Sequence, residues 1–206
     1  MIDSFDIVKT KNRFFLGAMC IENPWPGMAR TIFNDHDRFK KTYYSDYPGY
    51  YFSGDGVERS DKGWFRITGR MDDVINISGH RLSTAEIESV LAENENVSEA
   101  AVVGFDHNIK GDAPAAFVIL KQNSNIDRVD LETQLNNLVR EKIAKFATPD
   151  KFLIVKDLPK TRSGKIMRRI LKKIASGEKD QFGDTSTLAD PSVVNEILET
   201  YVAKYS

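Results

Sequence analysis

The chain has a single cysteine, no long apolar run and almost no net charge, and each of these absences excludes a class of protein. Cys20 is that cysteine, so no disulfide can form within the chain. A net charge of −1 over 206 residues gives no overall attraction to nucleic acid or to a membrane. No apolar stretch approaches the roughly 20 residues of a membrane span, and we expect no signal-peptide core. The expected compartment is the cytoplasm.

The charges that are present are unevenly distributed along the chain. Residues 142–173 carry 11 Lys and Arg against 2 Asp and Glu, a local charge of +9, so the remainder carries −10. A basic segment on an otherwise acidic protein indicates a local anionic ligand.

The basic segment contains the motif PKTRSGKIMRR, residues 159–169. It places Lys165 at the tip of a small Ser-Gly turn that a basic helix follows, and a lysine there can swing its charge into a phosphate site. It is not a phosphate-binding loop of the common kind, because that motif needs glycine where this chain has Pro159. A solvated helix end and a nucleic-acid patch are the alternatives. The nucleic-acid reading ranks last, because no aromatic residue lies between Phe152 and Phe182.

A second group of motifs lies far upstream, namely YFSGD at 51–55 and ITGRMDDVINISGHR at 67–81. Asp55 follows an aromatic strand in a Ser-Gly-Asp-Gly turn, where its carboxylate can accept hydrogen bonds from two vicinal hydroxyls or cap its own turn. Arg81 follows a glycine turn and suits a phosphate, or pairs with Glu86 or Glu88 on the surface. His80 is interpreted as a packed or hydrogen-bonded residue and not as a base.

The pattern of apolar residues changes near Arg70. Before it we predict short strands broken by turns, including one over 13–21, and a short polar helix over 35–41. After it we predict alternating strands (74–77, 100–105, 115–120, 152–155) and helices, among them 131–143 and 166–174. The sequence STAE at 83–86 predicts a capping box, in which Ser83 and Glu86 bond free N–H groups at a helix start. Asp190 and Pro191 predict the start of the last helix. The fold class is therefore α+β: a small domain over 72–206 with a short sheet flanked by helices, preceded by an incomplete β-rich unit over 1–71.

In this order and spacing, these motifs resemble the C-terminal third of AMP-forming acetyl-CoA synthetases, members of the acyl-adenylate-forming ligase superfamily. The tail GDTSTLADP at 183–191 also resembles their acetate and propionate branch. The resemblance implies that residues 1–71 end the large adenylate-forming domain and that 72–206 form the mobile C-terminal domain. It also implies that the missing N-terminal domain holds the phosphate loop and the acyl pocket.

The resemblance implies a role for each motif residue. Lys165 matches the catalytic lysine, which is also the family's site of acylation. Asp55 matches the aspartate that binds the ATP ribose, with Arg70 assisting. Arg81 matches an arginine that contacts the nucleotide phosphates, and Asp72 matches the hinge residue.

Further matches concern coenzyme A and a cation. Three residues match positions that meet coenzyme A: Ser78, Gly79 and Arg140. Three others match a metal position at the end of the capped helix: Ala92, Asn94 and Val97.

The activity implied is acetate + ATP + CoA to acetyl-CoA + AMP + pyrophosphate through acetyl-AMP, with Mg²⁺. The partners implied are these substrates and an acetyltransferase and deacetylase that act on Lys165, with no nucleic acid and no membrane. We expect the isolated chain to be inactive. The alternatives are a non-catalytic regulatory module that carries an acylatable lysine, and a fragment of a propionyl-CoA synthetase.

Overall fold

The computed structural model describes residues 14–205, which divide into two compact units on either side of the Asp72–Asp73 bond. The described part of the first unit contains three strands and one helix: β1 Phe14–Ile21, α1 His36–Tyr44, β2 Tyr51–Ser60 and β3 Phe65–Arg70. The strands form an antiparallel sheet in the order β1-β2-β3. The predicted first strand is confirmed from Phe14 onward, whereas Arg13 lies outside the described residues.

Helix α1 begins where the sequence predicts, because Asp35 accepts a hydrogen bond from the Arg38 N–H at 3.0 Å. It runs three residues past the predicted end and includes Tyr43 and Tyr44. Tyr43 stacks on Tyr51 of β2, with ring centroids 4.8 Å apart. Aromatic packing on the sheet therefore extends a helix that a purely polar reading ends too early.

The second unit contains the remaining elements of the described chain. After a short 3-10 helix, Met71–Asp73, that spans the boundary, these are β4 Val74–Ile77, β5 His80–Ser83, α2 Thr84–Leu91, β6 Val97–His107, β7 Gly111–Leu120, α3 Arg128–Lys142, a 3-10 turn Lys145–Ala147, β8 Lys151–Ile154, α4 Arg168–Ala175 and α5 Ser192–Tyr205. The sheet order is β5-β4-β7-β6, and β8 pairs with β7 in parallel. This is the predicted α+β domain, in which helices flank a short sheet.

Helices cover both faces of this sheet. Ala101, Val103 and Phe105 face one core with α4 and α5, while Val102 faces the other core with α2 and α3. A strand that is buried on both faces is apolar at nearly every position. This explains the continuous apolar run that identified β6 in the sequence.

The predicted capping box at the start of α2 is wrong in its hydrogen bonds. Ser83 is the N-cap residue by position, but its hydroxyl makes no cap hydrogen bond and is buried without a partner, as is that of Thr84. Ser83 also ends β5, which the sequence analysis missed, and pairs with Val74. Ser83 therefore has an extended backbone because it is both the last residue of the β4–β5 hairpin and the residue before α2.

Candidate functional site

Asp55 and Arg70 lie opposite each other on β2 and β3 of the first unit. Arg70 Nη1 is 3.6 Å from Asp55 Oδ1 and donates to the Ser53 carbonyl at 2.9 Å. The guanidinium lies over Gly54, which has φ +83°, and a Cβ there would approach Arg70 Nη2 to 2.5 Å. The close approach and the positive φ both select glycine in this turn.

An open cleft of about 390 Å³ adjoins this pair within the first unit. Its lining combines aromatic rings, including Tyr43 and Tyr51, with the Ser53–Gly54 backbone and Arg70. The side chain of Asp55 keeps 25% of its surface exposed. Such a carboxylate can accept hydrogen bonds from a polyhydroxyl group beside a cation.

The Lys165 turn is held by its own backbone. The Thr161 N–H donates to the Lys165 carbonyl and the Gly164 N–H to the Thr161 carbonyl, each at 2.8 Å. The Lys165 N–H donates to Thr161 Oγ1 at 3.1 Å, and Gly164 adopts φ +82°. The backbone of the turn is therefore closed, and the freedom expected of this motif lies in the Lys165 side chain.

Two lysines of this turn have opposite environments. Lys165 is exposed, and among the described residues its ammonium makes no hydrogen bond or ion pair. Lys160 Nζ lies 2.6 Å from Glu99 Oε2 and 3.3 Å from Asp157 Oδ1, and the hydrogen bond to Glu99 raises the pKa of Lys160. The structure thus leaves one ammonium available to an external anion and holds the other.

The tail after α4 packs against the same turn. Thr161 forms an isolated bridge with Leu188, the Arg162 N–H donates to the Thr187 carbonyl at 3.3 Å, and the Ala189 N–H donates to the Lys160 carbonyl at 2.9 Å. The tail motif at 183–191 therefore supports the turn, a role that its composition does not indicate.

Ser78 and Gly79 form the two-residue turn between β4 and β5. Their φ values of 51° and 85° are those of a type I′ hairpin turn, in which both central residues need positive φ. No heavy atom lies within 4 Å of a Cβ built on Gly79. Within the second unit, glycine is favoured at position 79 because of its positive φ and not because a side chain would lack space.

The two arginines that are predicted to meet phosphates, Arg81 and Arg140, lie on separate elements of the second unit. Arg81 pairs across the hairpin with Asn76, and Arg140 lies in the last turn of α3, and both are exposed. His80 stacks on Phe146 with ring centroids 4.4 Å apart, in agreement with its interpretation as a packed residue. The suggested pairing of Arg81 with Glu88 is wrong, because Glu88 binds Arg168.

The hinge and metal positions stay predictions. Asp72 lies within the 3-10 helix at the unit boundary. Ala92, Asn94 and Val97 follow α2, where Asn94 Oδ1 accepts from the Asn96 N–H at 2.9 Å and the Asn94 carbonyl accepts from the Val97 N–H at 3.1 Å. A cation there would rely on neutral oxygens, two of which already accept hydrogen bonds from the protein.

Most cations of the basic helix α4 have intramolecular partners. Arg168 pairs with Glu88, Arg169 donates to the carbonyls of Phe182 and Asp184, and Lys173 pairs with Glu178 at 2.9 Å. Of the four cations of α4, Lys172 is exposed and has no hydrogen-bond or ion-pair partner among the described residues. The helix stabilises its own unit, which disfavours the nucleic-acid alternative.

Sequence reasoning missed a group of charged residues behind the lysine turn. Arg168 binds both oxygens of Glu88 and lies 3.4 Å from Asp73 Oδ2, while Glu88 Oε1 accepts from the Val102 N–H at 2.6 Å. Burial raises the pKa of the Glu88 carboxyl, and the Arg168 guanidinium opposes that shift. Glu88 lies on the inner side of the predicted amphipathic helix α2. A carboxylate in that position indicates a buried partner of opposite charge, and this was the signal in the sequence.

In the part of the chain that the structure describes, no helix is both long and apolar enough to span a bilayer. Within the same residues, no three His, Cys, Asp or Glu side chains cluster as metal ligands.

The sequence and the fold of this chain resemble those of known proteins. Residues 86–165 match the family described as AMP-binding enzyme C-terminal domain. The chain is 56% identical over 185 residues to the acetyl-coenzyme A synthetase 2-like, mitochondrial protein of Homo sapiens, an alignment that covers 90% of this chain and 27% of that protein. It is 54% identical over 183 residues to the acetyl-coenzyme A synthetase of Escherichia coli K12, with 89% and 28% covered. The chain thus spans just over a quarter of the length of these relatives.

Solved structures with a similar fold come from related ligases. The ATP-bound MatB of Rhodopseudomonas palustris superposes with a TM-score of 0.65 at 25% identity, over 78% of this chain and 30% of that one. The acetoacetyl-CoA synthetase of Streptomyces lividans shares the fold with a TM-score of 0.74 at 21% identity, over 92% and 28%. Residues 86–165 are therefore similar to the C-terminal domain of AMP-binding enzymes, and about nine tenths of the chain is similar to a portion of acetyl-coenzyme A synthetases.

Proposed function

We propose that this chain supplies the C-terminal portion of an AMP-forming acetate–CoA ligase. In the first step acetate and ATP give acetyl-AMP and pyrophosphate, and in the second the thiol of CoA displaces AMP. The observation that carries the proposal is the exposed ammonium of Lys165 on a turn whose backbone is closed by hydrogen bonds. We further propose that residues 1–71 end the large domain and that 72–206 form the mobile domain.

The first step brings two anions together. The acetate carboxylate and the α-phosphate repel each other, and an ammonium between them offsets this repulsion and stabilises the charge of the transition state. Lys165 suits this role because its charge has no competing partner among the described residues. Asp55 would accept hydrogen bonds from the ribose hydroxyls, Arg70 holds that carboxylate, and Arg81 would meet the phosphates.

The second step needs a different surface. We propose rotation about Asp72, which withdraws Lys165 and brings the turn of Ser78 and Gly79 to the pantetheine arm. That turn is tied to the neighbouring β6–β7 turn, because the Ser78 N–H donates to the Lys110 carbonyl at 2.7 Å. Arg140, exposed at the end of α3, would contact the phosphates of CoA.

Mg²⁺ belongs to the proposal as the companion of ATP. It binds phosphate oxygens with few protein ligands and neutralises their charge. We also propose a second cation position at Ala92, Asn94 and Val97, where the carbonyl and Oδ1 oxygens of Asn94 each accept one backbone hydrogen bond as well. A cytoplasmic location is proposed as well, although one relative is named mitochondrial.

Acylation of Lys165 would regulate the ligase. An acyl group removes the charge and thereby the ability to bridge two anions. We propose a protein acetyltransferase and a deacetylase as partners, because the side chain is exposed at the tip of a turn.

A chimera tests the function. This chain replaces the matching portion of the Escherichia coli relative, and acetate-dependent pyrophosphate release and acetyl-CoA formation are measured separately. We expect both activities, loss of pyrophosphate release in Lys165→Ala, and selective loss of the CoA step in Arg140→Ala. The unfused chain is the control and is expected to release no pyrophosphate.

The alternatives give other outcomes. A properly folded chimera that releases no pyrophosphate, while a deacylase still removes an acyl group from Lys165, would overturn the ligase proposal in favour of a regulatory module. Faster turnover of propionate than of acetate would be assigned to the partner portion of the chimera, because the proposal places the acyl pocket there.

A further inference from the structure

The charged group behind the lysine turn joins four elements of the second unit. Arg168 is the first residue of α4, three residues after Lys165. Its guanidinium binds both oxygens of Glu88 on α2, at 2.9 Å for Nη2–Oε2. It also lies 3.4 Å from the Val102 carbonyl of β6 and 3.4 Å from Asp73 Oδ2.

The position of this group follows from the sheet. Strand β6 pairs only with β7 among the described strands, so its outer edge carries backbone groups without strand partners. At Val102 the N–H donates to Glu88 Oε1 at 2.6 Å, and the carbonyl faces Arg168. The Glu88–Arg168 pair therefore occupies the sheet edge where a further strand would bind, and it links the helix layers on the two faces.

The pair is also well shielded from water. The side chains of Arg168 and Glu88 expose 26% and 15% of their surface. A buried bidentate pair holds its geometry far better than an exposed one, because either charge left alone would be poorly solvated. Arg168 is thus the fixed point from which the chain leaves the Lys165 turn.

Asp73 connects this fixed point to the unit boundary. It ends the 3-10 helix Met71–Asp73 and directly follows Asp72. Its carboxylate takes the third side of the guanidinium, at Nε. Asp73, the residue after the proposed hinge, and Glu88 of α2 therefore share the guanidinium of Arg168, which directly follows the lysine turn.

We propose that Arg168 is a positioning residue for Lys165, which fixes the lysine turn to the segment that follows Asp72. Lys165 then keeps one place relative to that segment, and rotation about Asp72 carries the ammonium as part of a rigid body. The role of Lys165 rests on the proposed function. The fixation of its turn does not, and it can be measured on the chain itself without catalysis.

Amide hydrogen exchange of the 206-residue chain, followed by NMR, tests the proposal. The reporters are the hydrogen-bonded N–H groups of Gly164, Lys165 and Met167. In Arg168→Gln we expect their exchange to accelerate about tenfold, as local opening becomes easier. Asp73→Asn is expected to accelerate it less, and Arg168→Lys is expected to restore part of the protection, because it keeps the charge but loses the fork.

Two controls keep the result specific. Lys173→Gln removes a charge from the same helix at its pair with Glu178, and we expect no change at the three reporters. The buried strand β7, read at Phe117, reports whether the unit stays folded. The Arg168 Nε–H resonance should shift in Asp73→Asn, which checks that the contact with Asp73 exists in solution.

Unchanged exchange at Gly164, Lys165 and Met167 in Arg168→Gln, with Phe117 still protected, would overturn the proposal. Equal acceleration in Lys173→Gln would overturn it too, because charge on α4 and not the guanidinium would then be responsible. Inactivity of the chimera leaves this test intact, since exchange reports on the turn and not on turnover.

Discussion

Replacing Arg168 by methionine should destabilise the second unit alone. The change removes one partner of a partly buried pair and leaves the Glu88 carboxylate with the Val102 N–H as its remaining hydrogen-bond donor among the described residues. Breaking such a pair costs about 3–5 kcal/mol when both groups are fully buried. Because Arg168 and Glu88 keep 26% and 15% of their side-chain surface exposed, we expect about 3 kcal/mol, the lower end of that range.

The double variant Arg168→Met with Glu88→Met separates charge from packing. Two apolar side chains of similar volume leave no uncompensated charge, so most of the lost stability should return, although the Val102 N–H loses its acceptor. That N–H is on an edge strand and costs about 1–3 kcal/mol if water cannot reach it. The double variant is therefore expected to lie between the wild type and Arg168→Met.

The chain offers an internal control for this measurement. Both tryptophans, Trp25 and Trp64, belong to the first unit. Tryptophan fluorescence during urea unfolding therefore follows that unit, whereas far-UV circular dichroism is dominated by α2 to α5 of the second. We expect the dichroism midpoint to fall and the fluorescence midpoint to hold. A loss below about 1 kcal/mol in Arg168→Met, or a double variant that is less stable than both single variants, would refute the reasoning.

Three further predictions concern the turns. Gly79→Ala should cost about 1 kcal/mol in the free energy of unfolding, from the positive φ and not from a clash, and Gly79→Asn should cost less, as denaturant titration will show. Limited reaction with acetic anhydride, read by peptide mass spectrometry, should modify Lys165 several-fold faster than Lys160, whose ammonium Glu99 holds; equal rates would contradict the described contacts. The raised pKa of Lys160 adds stability that is fully present below the ordinary lysine pKa of 10.5 and is lost as the pH rises through the pKa of the folded state, so Lys160→Gln should flatten the alkaline decline in stability.

Much of the fold could be predicted because local patterns agreed with packing. The continuous apolar runs of β6 and β7 identified their strands, and Asp35 begins its helix as an acceptor of a backbone N–H group. Helix α3 begins at Arg128, three residues before its predicted start, because Asp127 caps it. Strand β5 was missed because its four residues, unlike those of β4, begin with His80 and Arg81 and so lack an apolar run. Ser83 was misjudged because it ends a strand and begins a helix at once.

For the candidate site, the sequence by itself determined the residue types and their spacing: a lysine on a Ser-Gly turn, an aspartate in a Ser-Gly-Asp-Gly turn, and an arginine that follows a glycine turn. These are local properties, so neighbouring residues carry them. Only the tertiary structure decided that Glu99 occupies Lys160 while Lys165 stays available, and that Arg168 meets Glu88 and Asp73. Those partners are 61 to 95 residues apart along the chain, as 160 − 99 = 61 and 168 − 73 = 95. No local pattern specifies such pairs, because they depend on how the helices on the two faces pack around one sheet edge.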